Sequence, residues 1–111
     1  NRTLLQREVA DFHRISGTQM LAEQLPGAHQ HLLLSQLWTA MAEMREGEVL
    51  KAQKALRAAA VYSQSDRALL ERVARDPELS EQKVRATLER VAPVDEHRYL
   101  GRVLDAAAPN D

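Results

Sequence analysis

Four histidines, His13, His29, His31 and His97, carry most of the side-chain chemistry that this chain offers. It contains no cysteine, which excludes disulfides, a thiolate nucleophile and thiolate metal sites. Zinc bound through histidine needs three or four converging ligands. His29 and His31 stand two positions apart, so on a helix they diverge, and His13 and His97 can meet only through folding. Neither a metal nor a cofactor is therefore expected. Phosphotransfer through His31 needs an exposed ring with room for a partner, and Leu32-Leu33 crowd it. All four read as surface histidines, with His29 in a first helical turn where the dipole disfavours its charge. Ser16, Ser35, Ser63, Ser65 and Ser80 read as caps or surface positions. No carboxylate stands in an apolar stretch that would raise its pKa for acid–base work, and no glycine-rich phosphate loop occurs. The chain is not expected to be an enzyme.

The charge balance narrows the remaining classes. Fifteen Lys and Arg oppose sixteen Asp and Glu, so no global field draws the chain to nucleic acid or an anionic membrane. No apolar run, neither Leu32-Leu33-Leu34 nor Ala58 to Tyr62, approaches the roughly 18 residues that cross a bilayer. No secretory leader is visible, and the lack of cysteine fits a reducing compartment, so a cytoplasmic location is expected. At 111 residues the chain suits one domain, expected over 1–108 with a frayed tail at 109–111. Apolar residues make up 44%, enough to fold, but alanine and leucine dominate them and aromatics are only 4%. Thin, closely spaced helices follow, with a partner completing the core.

Helical spacing runs through the whole chain, and no stretch alternates with the period of a strand. Thr3-x-x-Gln6 has the form of a capping box opening a first helix, whose buried face is read as Leu5, Val9 and Phe12 with Leu4 and Ile15 beside it. Ser16-Gly17-Thr18 either starts a second short helix or lies within the first. Leu25-Pro26-Gly27 is a firm break. From Ala28 to at least Arg45, the side chains Leu33, Leu34, Leu37, Trp38, Met41 and Met44 share a stripe about 140° wide. After Gly47 a new stripe appears at Val49, Ala52, Leu56 and Ala59. An unbroken helix from Ala28 to Tyr62 would be about 50 Å long. The two stripes do not join, so a turn is expected at Glu46-Gly47-Glu48. A helix follows over Asp66 to Arg75. Another is expected to start at Asp76-Pro77, with Ser80-Glu81 able to cap again a turn later, and buries Val84, Leu88 and Val91 before Pro93 stops it. Asp95 can cap a last helix with Leu100, Val103, Leu104 and Ala107 on its face.

Two segments carry family resemblances. Gly47 to Ala59 resembles the turn and second helix of a tetratricopeptide unit, which places a glycine, a small, a large apolar and a small residue where Gly47, Ala52, Leu56 and Ala59 stand. Gln36, Thr39 and Glu43 depart from that pattern, and no second copy follows at about 34 residues. Leu79 to Val91 resembles the recognition helix of a helix-turn-helix regulator, with Ala68 to Arg75 as its supporting helix. That resemblance implies Gln82, Lys83 and Arg85 near base edges and Arg90 near phosphate. Glu78, Glu81 and Glu89 in the same segment offset those cations.

Some apolar residues lie on the wrong side of their helices. Leu32 opposes the Trp38 stripe, and Leu50 and Val61 sit among Lys54 and Arg57, opposite the stripe that follows Gly47. Two central helices showing this pattern are contacted on two sides, by terminal helices or by another chain. Trp38, Met41 and Met44 form a second candidate surface, because tryptophan and methionine suit adaptable binding. The expectation is an all-α, irregular antiparallel helical bundle or helical-hairpin array of five to seven short helices. It would serve as a non-enzymatic interaction module (an adaptor, small chaperone or regulatory subunit) holding a partner helix or a second copy of itself. The alternative is a DNA-binding regulator built on 68–91.

Overall fold

Gly47 adopts φ +76°, a left-handed conformation that costs a side-chain-bearing residue about 1 kcal/mol or more. Two backbone bonds close the turn: Glu48 N–H donates to Glu43 O at 2.8 Å and Gly47 N–H to Met44 O at 3.1 Å. This is a Schellman cap, and it ends one helix so that the next can fold back. The expected turn is therefore present. A second such cap ends the first helix, where Leu25 N–H donates to Met20 O and Gln24 N–H to Leu21 O. There the left-handed position is held by Gln24 at φ +57°, not by a glycine.

The structure, a computed structural model, describes residues 1–93, 95 and 96. It is all-helical, with α1 (Arg2–Ala22), α2 (Ala28–Arg45), α3 (Val49–Ala60), α4 (Arg67–Ala74) and α5 (Glu81–Val91), and no strand among the described residues. The helix expected around Leu100 to Ala107, the tail 109–111 and His97 lie outside the described residues. The first helix opens two residues earlier than the capping box suggests, because the Asn1 side chain accepts the Leu4 N–H at 3.1 Å. It then runs unbroken through Gly17. Asp76 starts no helix; its carboxylate accepts the Glu78 N–H at 2.8 Å in a turn, and Ser80 caps α5 through the Lys83 N–H.

Helix α2 is central and packs against α1, α3 and α5. Its stripe enters the core with Leu33, Leu34, Leu37, Trp38 and Met41 buried, joined by Ala52, Leu56 and Ala59 of α3, Leu70 of α4, and Val84 and Leu88 of α5. The α1 face needs correcting in part: Val9 packs against the core and Leu5 is half-buried, but the fully buried positions are Gln6, Ala10, His13 and Gly17, while Leu4, Phe12 and Ile15 are exposed. Small residues explain the choice. A Cβ on Gly17 would lie 2.8 Å from Leu32 Cγ and 3.1 Å from Ala28 O, so only glycine lets the two helices approach this closely. Farther along, Ser35 Oγ donates to Ala10 O at 2.8 Å. These pairs, with Arg7 bonded to Glu43, show α1 and α2 running antiparallel. The helices also join at Glu81, whose carboxylate accepts from Gln6 Nε2 and Arg45 Nη1, both at 3.3 Å.

Candidate functional site

Where α1 crosses α2, antiparallel packing brings His13 beside His31, eighteen positions apart in sequence. The two Nδ1 atoms lie 2.9 Å apart, so one imidazole donates to the other. The turn after Pro93 delivers Glu96 to the far side of His13, with Glu96 N–H donating to Pro93 O. There His13 Nε2 donates to Glu96 Oε1 at 2.8 Å, and the indole Nε1–H of Trp38 donates to the same oxygen at 2.8 Å. His13 is 2% exposed and Glu96 is 3% exposed. A carboxylate so placed survives only because both of its buried neighbours donate to it. The edge of the Phe12 ring covers both imidazoles, with centroids 5.3 Å and 6.3 Å away.

Proton positions follow from the partners. Trp38 can only donate and a carboxylate can only accept, so His13 carries a hydrogen on Nε2. With His13 neutral, His31 donates from Nδ1 and keeps Nε2 as a free base. With His13 doubly protonated, His31 accepts instead. Passing from the first form to the second adds a proton at His31 Nε2 and moves the shared hydrogen from His31 Nδ1 to His13 Nδ1. Burial holds His31 below the usual histidine range; the neighbouring His13 pushes the same way and Glu96 opposes.

A cavity of about 340 Å³ opens beside the cluster, walled by Phe12, Leu34 and Pro93 with Gln30, His31 and Asp95 at its polar edge. Carboxylate, imidazole and imidazole in series resemble the proton-handling half of a hydrolytic triad. Among the described residues, no serine, threonine or cysteine lines that cavity to act as nucleophile. Ser35 is committed to Ala10 O, and Thr39 Oγ1 donates to Ser35 O. Among the described residues, no group of three His, Asp or Glu side chains is placed to hold a metal. The arrangement can shuttle a proton and tie the chain after Pro93 to the α1–α2 hairpin.

His13 is buried and not the surface histidine that its sequence suggests, and the Glu96 carboxylate is buried beside it. Glu96 gave no local signal, since it stands among polar residues after a proline. The His13–His31 pair was detectable in principle, because folding the chain at Pro26-Gly27 lays the middle of α1 along the first half of α2.

The residues expected to bind a partner fall into three groups. Trp38 and Met41 are fully buried and Met44 lies at the core edge, so that stripe is interior. Leu32 is half-buried beneath α1, against Gly17. Leu50 and Val61 are 79% and 68% exposed on the outer face of α3. On α5, Gln82, Lys83 and Arg90 are exposed and Arg85 is half-buried. Lys83 pairs with Asp76 at 2.8 Å and Arg85 with Glu89 at 2.9 Å, so two cations of the helix-turn-helix alternative are engaged within the chain. No family model, curated protein or solved structure matches this chain, and the tetratricopeptide likeness stays confined to the α3 turn and its small residues.

Proposed function

We propose that this protein is a non-enzymatic interaction module, an irregular antiparallel array of helical hairpins that holds a partner helix or a second copy of itself on the outer face of α3. The exposure of Leu50 and Val61 carries the reading. Core positions of α3 are filled by Ala52, Leu56 and Ala59, yet these two large apolar side chains still face solvent on one side of the helix. At about 100° per residue, Leu50, Arg57, Val61 and Lys54 fall within about 60° of one another. An apolar pair bracketing two long cationic stems is a surface that can be desolvated at its ends and steered at its centre. Lys51, Lys54 and Arg57 are the charges of α3, which contains no acidic residue although the whole chain is near neutral.

The test replaces Leu50 and Val61 together with Asp. Exposed positions tolerate such changes within about 0.5 kcal/mol, so the variant should melt like the native protein. It should no longer retain a protein that co-purifies with the native chain, nor show any concentration-dependent rise in mass by light scattering. A variant that unfolds would place both side chains inside the fold. A stable variant with every association intact would remove α3 as the surface. Salt-sensitive retention of the native chain on duplex DNA, lost on replacing Gln82 and Arg90, would instead favour the regulator.

A further inference from the structure

The outer faces of α1 and α3 have the same spacing and opposite charge. On α1, Leu4, Glu8, Asp11 and Ile15 follow at i, i+4, i+7 and i+11, and all four are exposed. On α3, Leu50, Lys54, Arg57 and Val61 follow at the same intervals, again all exposed. Each set spans about 60° of its helix and about 16 Å along it, so each is a straight stripe with apolar ends and a charged centre. The gaps of four, three and four read the same in both directions. Laid against each other parallel or antiparallel, the stripes put apolar on apolar and carboxylate on cation at every step.

We infer that a second copy of this chain covers α3, with α1 of one molecule docking on α3 of the next. The inference rests on the interaction reading above and names its partner. Four observations favour a copy over an unrelated helix. The complementary stripe is present on the same molecule, and it is free for docking: Leu4 and Ile15 are 58% and 55% exposed. Among the described residues no ion pair engages Lys54, Arg57 or Glu8; Asp11 meets only Arg14 of its own helix at 3.6 Å, an exposed contact that water weakens. The two helices pack on α2 and not extensively on each other, so the stripes are separate surfaces. Contact between two different patches is heterologous. It closes into a dimer if both α1–α3 pairs form at once, and otherwise grows into a ring or filament. A helix pair of this length buries less than the ~1,000 Å² of a stable interface, so association is weak, reversible and salt-sensitive.

Charge exchange tests this directly. The native protein should show a mass that rises with concentration in sedimentation equilibrium up to about 1 mM at low ionic strength, and less so at high salt. Glu8→Lys with Asp11→Lys makes both stripes basic; Lys54→Glu with Arg57→Glu makes both acidic. Each double variant alone should associate at least tenfold more weakly than the native chain, with an unchanged melting profile. Mixed in equal amounts they should associate again, because a basic α1 then meets an acidic α3. A native chain that stays monomeric throughout the range overturns the inference, as does a mixture that fails to recover. The broader reading is judged separately: if the native chain is monomeric yet retains another protein that the Leu50→Asp, Val61→Asp variant releases, the module stands and the second copy does not. Should residues 97–111 occupy α1 instead, removing them would create association absent from the full chain, which also overturns the inference.

Discussion

Replacing Glu96 tests whether one buried carboxylate joins three parts of the chain. Its Oε1 takes hydrogens from Trp38 on α2 and His13 on α1, both at 2.8 Å. Glu96→Ala would leave an indole N–H and an imidazole N–H buried without an acceptor. Each such orphan costs about 1–3 kcal/mol, so about 2–6 for the two. Glu96→Gln keeps an oxygen in place but removes the charge, weakening two charge-assisted bonds for a loss of about 1–2 kcal/mol. Trp38 is the only tryptophan of the chain, so its emission reports on this contact without labelling. Urea unfolding followed by that emission should give the order native, Glu96→Gln, Glu96→Ala, with the native-state spectrum of the alanine variant shifted by the lost bond. If Glu96→Ala unfolds within about 0.5 kcal/mol of native and its emission is unchanged, the carboxylate is not the acceptor described and the cluster is not a tie.

Three further outcomes follow from the geometry. Gly17→Ala would add up to about 1 kcal/mol of helix propensity on an exposed helix, but here its Cβ meets Leu32 Cγ at 2.8 Å, so a net loss of about 1–2 kcal/mol is expected, partly recovered by Leu32→Ala in a double-mutant cycle. Gln24→Gly should stabilise by about 0.5–1 kcal/mol by relieving the left-handed φ of +57°, whereas Gly47→Ala should destabilise by about 1 kcal/mol for the converse reason; thermal melts of the pair give opposite signs. His31 has its pKa lowered in the fold, by burial first and then by His13, so on acidification the unfolded chain takes up the proton before the folded one. Stability should therefore fall as pH drops below about 6.5 and level off once the folded imidazole is also charged; His31→Asn should remove that part of the fall in urea titrations between pH 7 and pH 5, a window above the range where the lowered Asp76 carboxyl titrates.

The helices and most of their ends were legible because each end carries a local device. Pro26-Gly27 stops the chain, Gly47 supplies a left-handed residue, and Ser80 offers a capping hydroxyl. The α2 stripe was legible from its period alone. What escaped was the choice of face on α1. Leu5, Val9 and Phe12 are the more apolar face, and composition alone would bury them. The buried face is instead chosen by partners on other elements: Ser35 and Leu32 of α2, Glu81 of α5, and Glu96. None of these is a neighbour in sequence. The same holds for the site: His13 and His31 were visible as residues, but their 2.9 Å contact depends on helix register, and the role of Glu96 depends on where a turn delivers it.

Rotating α1 about its axis by roughly one residue step, 100°, would turn Phe12 toward the core and His13 toward solvent. The gain is bounded. Fully burying a large apolar side chain yields about 1.5–3 kcal/mol, and Leu4, Phe12 and Ile15 are already half-covered, so the three together gain about 2–5 kcal/mol. Several losses oppose it. Glu96 would lose His13, Gln6 would lose Glu81, and a residue bearing a Cβ would replace Gly17 against Leu32, where nothing larger than hydrogen fits without displacement. A buried carboxylate left one donor short costs about 1–3 kcal/mol, and overpacking adds about 1–3. The outward apolar stripe of α1 is thus held in place by what lies behind it. The residues that fasten α1 inward are the ones that present Leu4, Glu8, Asp11 and Ile15 to a second molecule, so loosening the Glu96 cluster should weaken self-association without touching either stripe.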